Sequence, residues 1–151
     1  MRNLKNKKPA RIPTDEDYRN YDGAHCFHLW NGLSDSWVCP ACLRSKREIM
    51  RWTKRQARPV LGIMEDYYGW MAGLHRHHDH TVEYGSSNTR FLMTVICDQC
   101  NAAEGRAKRQ LSLPKDFSFA PAEIRRFVNP IPHGRHTVEL EIAKQIFDSL
   151  P

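Results

Sequence analysis

The sequence predicts an α+β fold, built as a β-hairpin followed by a helix, with further helices on its flanks. Three observations predict it. Two Cys-x-x-Cys pairs, Cys39-Pro-Ala-Cys42 and Cys97-Asp-Gln-Cys100, lie far apart in the chain and read as one four-sulfur ion site that braces a small core. Residues 73–83 and 90–96 read as two strands around the Gly85-Ser86-Ser87-Asn88 turn, with a helix starting at the second cysteine pair. After Pro114, two segments carry apolar residues at helical spacing.

The length fits one domain with appendages. The expected divisions are a basic arm over 1–24, the zinc-bound core over 25–112, and a helical extension over 113–151. Lys and Arg outnumber Asp and Glu by 23 to 17, for a net charge of +6 and a pI near 9.2, which suits a polyanionic partner. No apolar run approaches a membrane span, and the N-terminus lacks the apolar centre of a secretory signal. A cytoplasmic chain with reduced thiols is expected, and there paired cysteines bind metal more often than they form disulfides.

In chain order, residues 1–14 hold five Lys or Arg and no acid, as an arm able to touch phosphates would. A solvated tail has the same composition. Residues 15–38 read as compact loops or short strands that pack Tyr18, Tyr21, Phe27, Trp30 and Trp37 around a small core. Segment 43–58 reads as a helix with seven cationic residues against Glu48 alone. On that reading Arg44, Lys46, Arg47, Arg51, Lys54 and Arg55 would lie along a phosphate backbone. Pro59 ends the segment. Residues 64–71 could form a short helix, with strand and loop as alternatives. The helix from the second cysteine pair should reach about Arg109, carrying Asn101 and Glu104 and presenting Arg106, Lys108 and Arg109 to the same polyanion. Pro121 marks a helix start that buries Ile124, Phe127 and Val128. Residues 137–149 form a last amphipathic helix for packing or dimerisation.

Zn(II) prefers tetrahedral sulfur, and four cysteines fill its shell, so this zinc should be structural. Cys26 and His28 could replace one ligand, but core positions suit them better. The run His75-Arg76-His77-His78-Asp79-His80 places four histidines in six positions. On a strand, His77 and Asp79 would face one way, and His78 and His80 the other. Phosphodiester hydrolysis needs a base for water and a metal for the phosphate, and a neutral imidazole can be that base. A second zinc site without catalysis is the rival reading.

HRHHDH followed by CDQCNAAEGRAKR resembles the recombination endonuclease VII group of the HNH, or ββα-metal, nucleases. The resemblance is specific over His75–Arg109, and Cys39-Pro-Ala-Cys42 extends it to about half the chain. It implies a zinc-braced ββα-metal nuclease core that cuts double-stranded DNA to a 5′-phosphate and a 3′-hydroxyl. His78 matches the family's general base, and Asn101 matches the asparagine of the catalytic metal site. Glu104 falls where the family often has a glutamate, and His80 would stand near the scissile phosphate. His77 replaces a metal-binding aspartate, so Mn(II), Ni(II) or Zn(II) should suit the site better than Mg(II). A shift by two makes Asp79 the ligand and His80 the base, and strand alternation cannot separate the two assignments. Branched or junction DNA as substrate, and a homodimer, stay open. The alternative function is a zinc-stabilised nucleic-acid-binding protein without catalysis.

Overall fold

A computed structural model describes residues 11–151; residues 1–10 of the expected basic arm lie outside them. The first elements among the described residues are α1 (Asp15–Asn20) and α2 (Phe27–Gly32), where loops or short strands were expected. The reason is a capping box: the Thr14 hydroxyl accepts the Asp17 N–H, and the Asp17 carboxylate accepts the Thr14 N–H. Helix α2 buries its Trp30, against which Tyr18 of α1 and Tyr21 just after it pack edge-on.

The expected cationic helix over 43–58 does not form. Residues 39–50 are turns, and β1 (Arg51–Arg55) follows, paired antiparallel with β2 (Tyr67–Met71). Two features decide this. Leu43 adopts a left-handed φ of 62° to close the first cysteine knuckle. The alternating sequence Arg51-Trp52-Thr53-Lys54-Arg55 then sets Trp52 opposite Trp70, an edge-on aromatic pair at 5.0 Å across the ribbon. The expected short helix over 64–71 is thereby replaced with a strand, its stated alternative.

Then come β3 (Leu74–His77), β4 (Thr94–Cys97) and α3 (Asp98–Gln110). The two strands pair antiparallel, Leu74 opposite Cys97 and His77 opposite Thr94, and α3 packs on both. The strands are shorter than expected, because residues 78–93 form a long irregular connection rather than a tight hairpin. The helix agrees with its expected end to one residue. Gly73 is required where β3 begins: a Cβ there would lie 2.6 Å from the Asp98 Cβ.

The C-terminal part holds α4 (Pro121–Phe127), the short pair β5 (Val128–Asn129) and β6 (Thr137–Val138), and α5 (Leu140–Ser149). Pro121 takes the first turn of α4 as expected, and Ile124, Phe127 and Val128 are buried. Helix α5 starts three residues later than expected because Thr137 and Val138 pair with β5. The expected packing role of 137–149 is seen, on α4 and α3. Phe117, Phe119, Ala143 and Ile146 join Ala103 and Ala107 of α3 in a core continuous with the cysteine cluster. Truncating a buried Phe in such a core costs about 3–5 kcal/mol. No described helix is long and apolar enough to cross a membrane.

Candidate functional site

Two turns and one helix N-terminus bring the four cysteines together. The Cys39 N–H bonds the Arg44 carbonyl at 2.9 Å, and the Leu43 N–H bonds the Cys39 carbonyl at 2.7 Å, folding 39–44 into a knuckle. Cys97 ends β4, and Cys100 sits in the first turn of α3. All four side chains are buried, and their sulfurs lie within 4.8 Å of one another. Cys39 and Cys100 sulfurs are 3.9 Å apart, and those of Cys42 and Cys97 are 3.8 Å apart. A tetrahedral Zn–S bond of about 2.3 Å requires S···S edges of about 3.8 Å. The donor set and its spacing therefore fit a structural metal ion such as zinc. Cys26 stands apart, its sulfur set against the Leu74 backbone.

Four thiolates around a divalent ion leave two negative charges, and the fold supplies a cation for them. Arg44 is buried, with Nε 3.4 Å from the Cys42 sulfur and Nη2 3.3 Å from the Cys97 sulfur. The remaining guanidinium nitrogen donates to the Ile131 carbonyl at 2.9 Å. Burial disfavours the Arg44 charge, but the Cys97 and Cys42 sulfurs together outweigh it and hold the guanidinium above its usual range. His136, also buried, places Nε2 3.3 Å from the Cys100 sulfur. Sequence reasoning missed both residues in this role. The position of Arg44 two residues after a ligand is visible in the sequence but its burial against sulfur is not, and His136 is brought in by the β5–β6 turn alone.

Arg44 is thus no phosphate contact, and the same holds for Lys46. Lys46 is buried over the Trp30 ring, 4.5 Å from its centroid, and donates to the Leu33 carbonyl. Arg47 pairs with Asp15, Arg51 with Asp98 at 3.0 Å, and Lys54 with Asp66 at 3.0 Å. Arg55 lies over the Tyr67 ring. Arg106 reaches the His136 carbonyl at 3.4 Å, Lys108 donates to the Lys115 carbonyl, and Arg109 is exposed.

The histidine run divides by alternation, as expected, although β3 ends at His77. The His77 ring is buried, stacked on Phe91, with Nε2 2.7 Å from the Phe119 carbonyl. Burial pushes its pKa below the usual imidazole range, against the pull of that carbonyl. This is a packing position rather than the expected metal-ligand one: a neutral ring fills a pocket that would desolvate a cation. Asp79 is also buried, and both its oxygens are engaged. One accepts the Thr81 N–H and hydroxyl, and the other accepts the Arg90 N–H at 3.0 Å. Its carboxylate ties the ends of the long connection together.

On the other side, the rings of His78 and His80 lie 4.2 Å apart. His80 is exposed, and its Nδ1 meets the Ser118 hydroxyl at 2.7 Å. Burial, then the neighbouring His78, lowers its pKa. His78 is half-buried; its Nδ1 is shielded and has no partner among the described residues. It lines a 260 Å³ cavity with Val82, Tyr84, Leu92 and Met93. Asn101, one residue after Cys100, is half-buried, and its amide bonds nothing among the described residues. Glu104, one helical turn on, is buried and accepts the Phe119 N–H at 2.9 Å. Burial raises its carboxyl pKa, against the charge of Lys108.

Among the described residues, the four cysteines are the group of His, Cys, Asp and Glu gathered tightly enough to hold an ion. No protein-family model, curated protein or solved structure matches the chain.

Proposed function

We propose that this chain is a metal-dependent DNA endonuclease in which His78 is the general base. One observation carries the reading. A shielded imidazole nitrogen without a partner stands just past a β-strand of a hairpin that the four-cysteine clamp joins to its following helix. Buried polar atoms are nearly always paired; Arg51 Nε, Trp70 Nε1, Asp98 Oδ1 and His136 Nδ1 share this unpaired state, and what marks His78 among them is that its ring also lines a cavity and lies beside the exposed His80. The ββα order of β3, β4 and α3 supports the same reading.

In the proposed reaction, water attacks phosphorus as its proton passes to His78. The bond from phosphorus to the 3′-oxygen breaks, leaving a 5′-phosphate, and the departing oxygen takes a proton from solvent as the 3′-hydroxyl. A bound divalent ion would supply positive charge at the scissile phosphate. With His77 and Asp79 occupied within the fold, His80 and Asn101 are the residues that would hold that ion. Glu104 serves the fold: it holds the Phe119 N–H, and the Phe119 carbonyl holds the packed His77 ring.

Cleavage of a labelled linear duplex and a four-way junction, in Mn(II) and in Mg(II), tests this. Imidazole ligation favours Mn(II) or Ni(II) over Mg(II). His78→Ala should abolish turnover and leave DNA binding intact. Preference for the junction would extend the reading to branched DNA. Tight binding of both substrates with neither cut would establish instead a zinc-stabilised DNA-binding protein without catalysis.

A further inference from the structure

The β1–β2 ribbon is unlike the rest of the molecule, because its root is fixed and its tip is bare. At the root, Arg51 pairs with Asp98 at the start of α3, and Trp52 stacks edge-on against Trp70. The Arg11 guanidinium covers the Trp52 ring at 3.9 Å. At the tip, Pro59–Leu61 form one 3₁₀ turn, closed by two backbone hydrogen bonds between Arg58 and Ile63 at 2.8 and 3.1 Å. Gly62 supplies the left-handed φ of 76° that this turn requires. The turn is closed in this way, yet it presents Val60 at 97%, Leu61 at 66% and Met64 at 72% exposure.

Along the ribbon, between its root and this apolar tip, lies a cleft of 340 Å³ lined by Lys54, Arg55, Gln56, Ala57, Arg58 and Met71. Its lining has three cations and no acid. The nearby Asp66 carboxylate is taken up by Lys54 and the Ala57 N–H. Arg58 has no acidic partner among the described residues. A two-stranded ribbon with an apolar point and a cationic cleft behind it fits one partner well. The cleft suits a phosphate of a duplex, and the point suits the gap between two base pairs. A protein partner fits less well, since three tip side chains fall far short of the roughly 800 Å² per side of a stable interface.

We propose that the β1–β2 ribbon is a DNA-deforming arm that inserts Val60 and Leu61 between base pairs while Arg55 and Arg58 hold the adjacent phosphates. The inference rests on the DNA-binding part of the proposed function, and it adds how the substrate is bent. Because Arg51 ties the ribbon to the helix carrying Asn101, the deformation is held at a fixed place relative to the His78 side. Sequences with easily unstacked steps are then the preferred substrates.

The test uses the full chain carrying His78→Ala, so that DNA is bound without being cut. Duplexes contain 2-aminopurine at successive positions, with a dye pair at the ends. Binding should raise 2-aminopurine fluorescence at one step and shorten the end-to-end distance, as a bend of about 20–90° would. The pair Val60→Ser, Leu61→Ser should abolish both signals while affinity changes less than about tenfold. The pair Arg55→Gln, Arg58→Gln should weaken binding and lower the salt slope by about two phosphate contacts. Circular dichroism verifies that each variant is folded.

Normal affinity with neither unstacking nor bending in the parent chain overturns the arm and leaves the nuclease reading standing. Failure to bind any duplex overturns both. Tip-dependent self-association, or tip-dependent sedimentation with anionic lipid vesicles, in place of unstacking also overturns it.

Discussion

Glu104 accepts the Phe119 N–H at 2.9 Å, while the carbonyl of Phe119 meets His77 2.7 Å away. One residue of the C-terminal part is thus held between helix α3 and strand β3. Removing the acceptor, in Glu104→Ala, strands a buried N–H and should cost about 1–3 kcal/mol. Glu104→Gln keeps an acceptor and removes the buried charge. Because burial raises this carboxyl above its ordinary 4.5, the fold favours the neutral form. The stabilisation from this group is complete below pH 4.5 and is lost as pH rises through the higher folded value. Glu104→Gln should therefore be at least as stable as the parent at neutral pH, by urea denaturation at pH 5 and 7.5. A less stable Gln variant at pH 7.5 would mean that the carboxylate has a cationic partner, such as a bound ion.

Metal removal should unfold the core. A structural zinc site contributes about 10–16 kcal/mol of apparent binding energy at neutral pH. The cysteine cluster here joins the knuckle at 39–44 to α3. Circular dichroism during titration with a strong chelator should show cooperative loss of structure, and added Zn(II) should restore it. Unchanged spectra in a metal-free sample would show that the cysteines need no ion.

Arg44 and His136 should tune that site without being ligands. Groups that hydrogen-bond metal ligands typically change affinity by about 10–100-fold when removed. His136→Phe fills the same volume and should loosen zinc within that range, by chelator competition. Arg44→Met should do more harm, because it also leaves the Ile131 carbonyl and two thiolates without their buried cation. Equal zinc affinity in all three proteins would reduce both contacts to packing.

The three candidate histidines should separate by phenotype. His78→Ala should reduce turnover by about 10²–10⁴-fold, the usual contribution of a general base. His77→Ala should instead lower the melting temperature through its lost packing on Phe91 and its lost bond to Phe119, with turnover per folded molecule nearly unchanged. His80→Ala should weaken the dependence on divalent ion. A base-like loss in His80→Ala with an active His78→Ala would reassign the base to His80.

The parts of the fold that the sequence made legible are those where local chemistry decides. The Cys-x-x-Cys spacing showed the clamp, and Pro121 showed the start of α4. The division of His77 and Asp79 from His78 and His80 followed from alternation alone. Segment 43–58 was misread because seven cations on helix-compatible residues look like a solvated helix. What overrides them is tertiary: Leu43 must turn back at the knuckle, and Trp52 finds Trp70 across the ribbon. Charge counting could not show that Arg44 faces sulfur and Lys46 faces Trp30. The burial of Asp79 was equally hidden, since its partners Thr81 and Arg90 lie in a connection without periodicity.

Cys42 and Cys97 stand 55 positions apart, yet their sulfurs are 3.8 Å from each other. The whole β1–β2 ribbon therefore hangs from a closed ring whose clasp is the metal site. A chain cut between Val60 and Leu61 would remain one particle, its two pieces held by sulfur and the shared core, and would come apart when the ion is withdrawn. Such a ring also tolerates change in its pendant. The ribbon can be lengthened, shortened or exchanged without altering the clasp, so contacts with a partner can diverge while the hairpin and helix behind them stay the same.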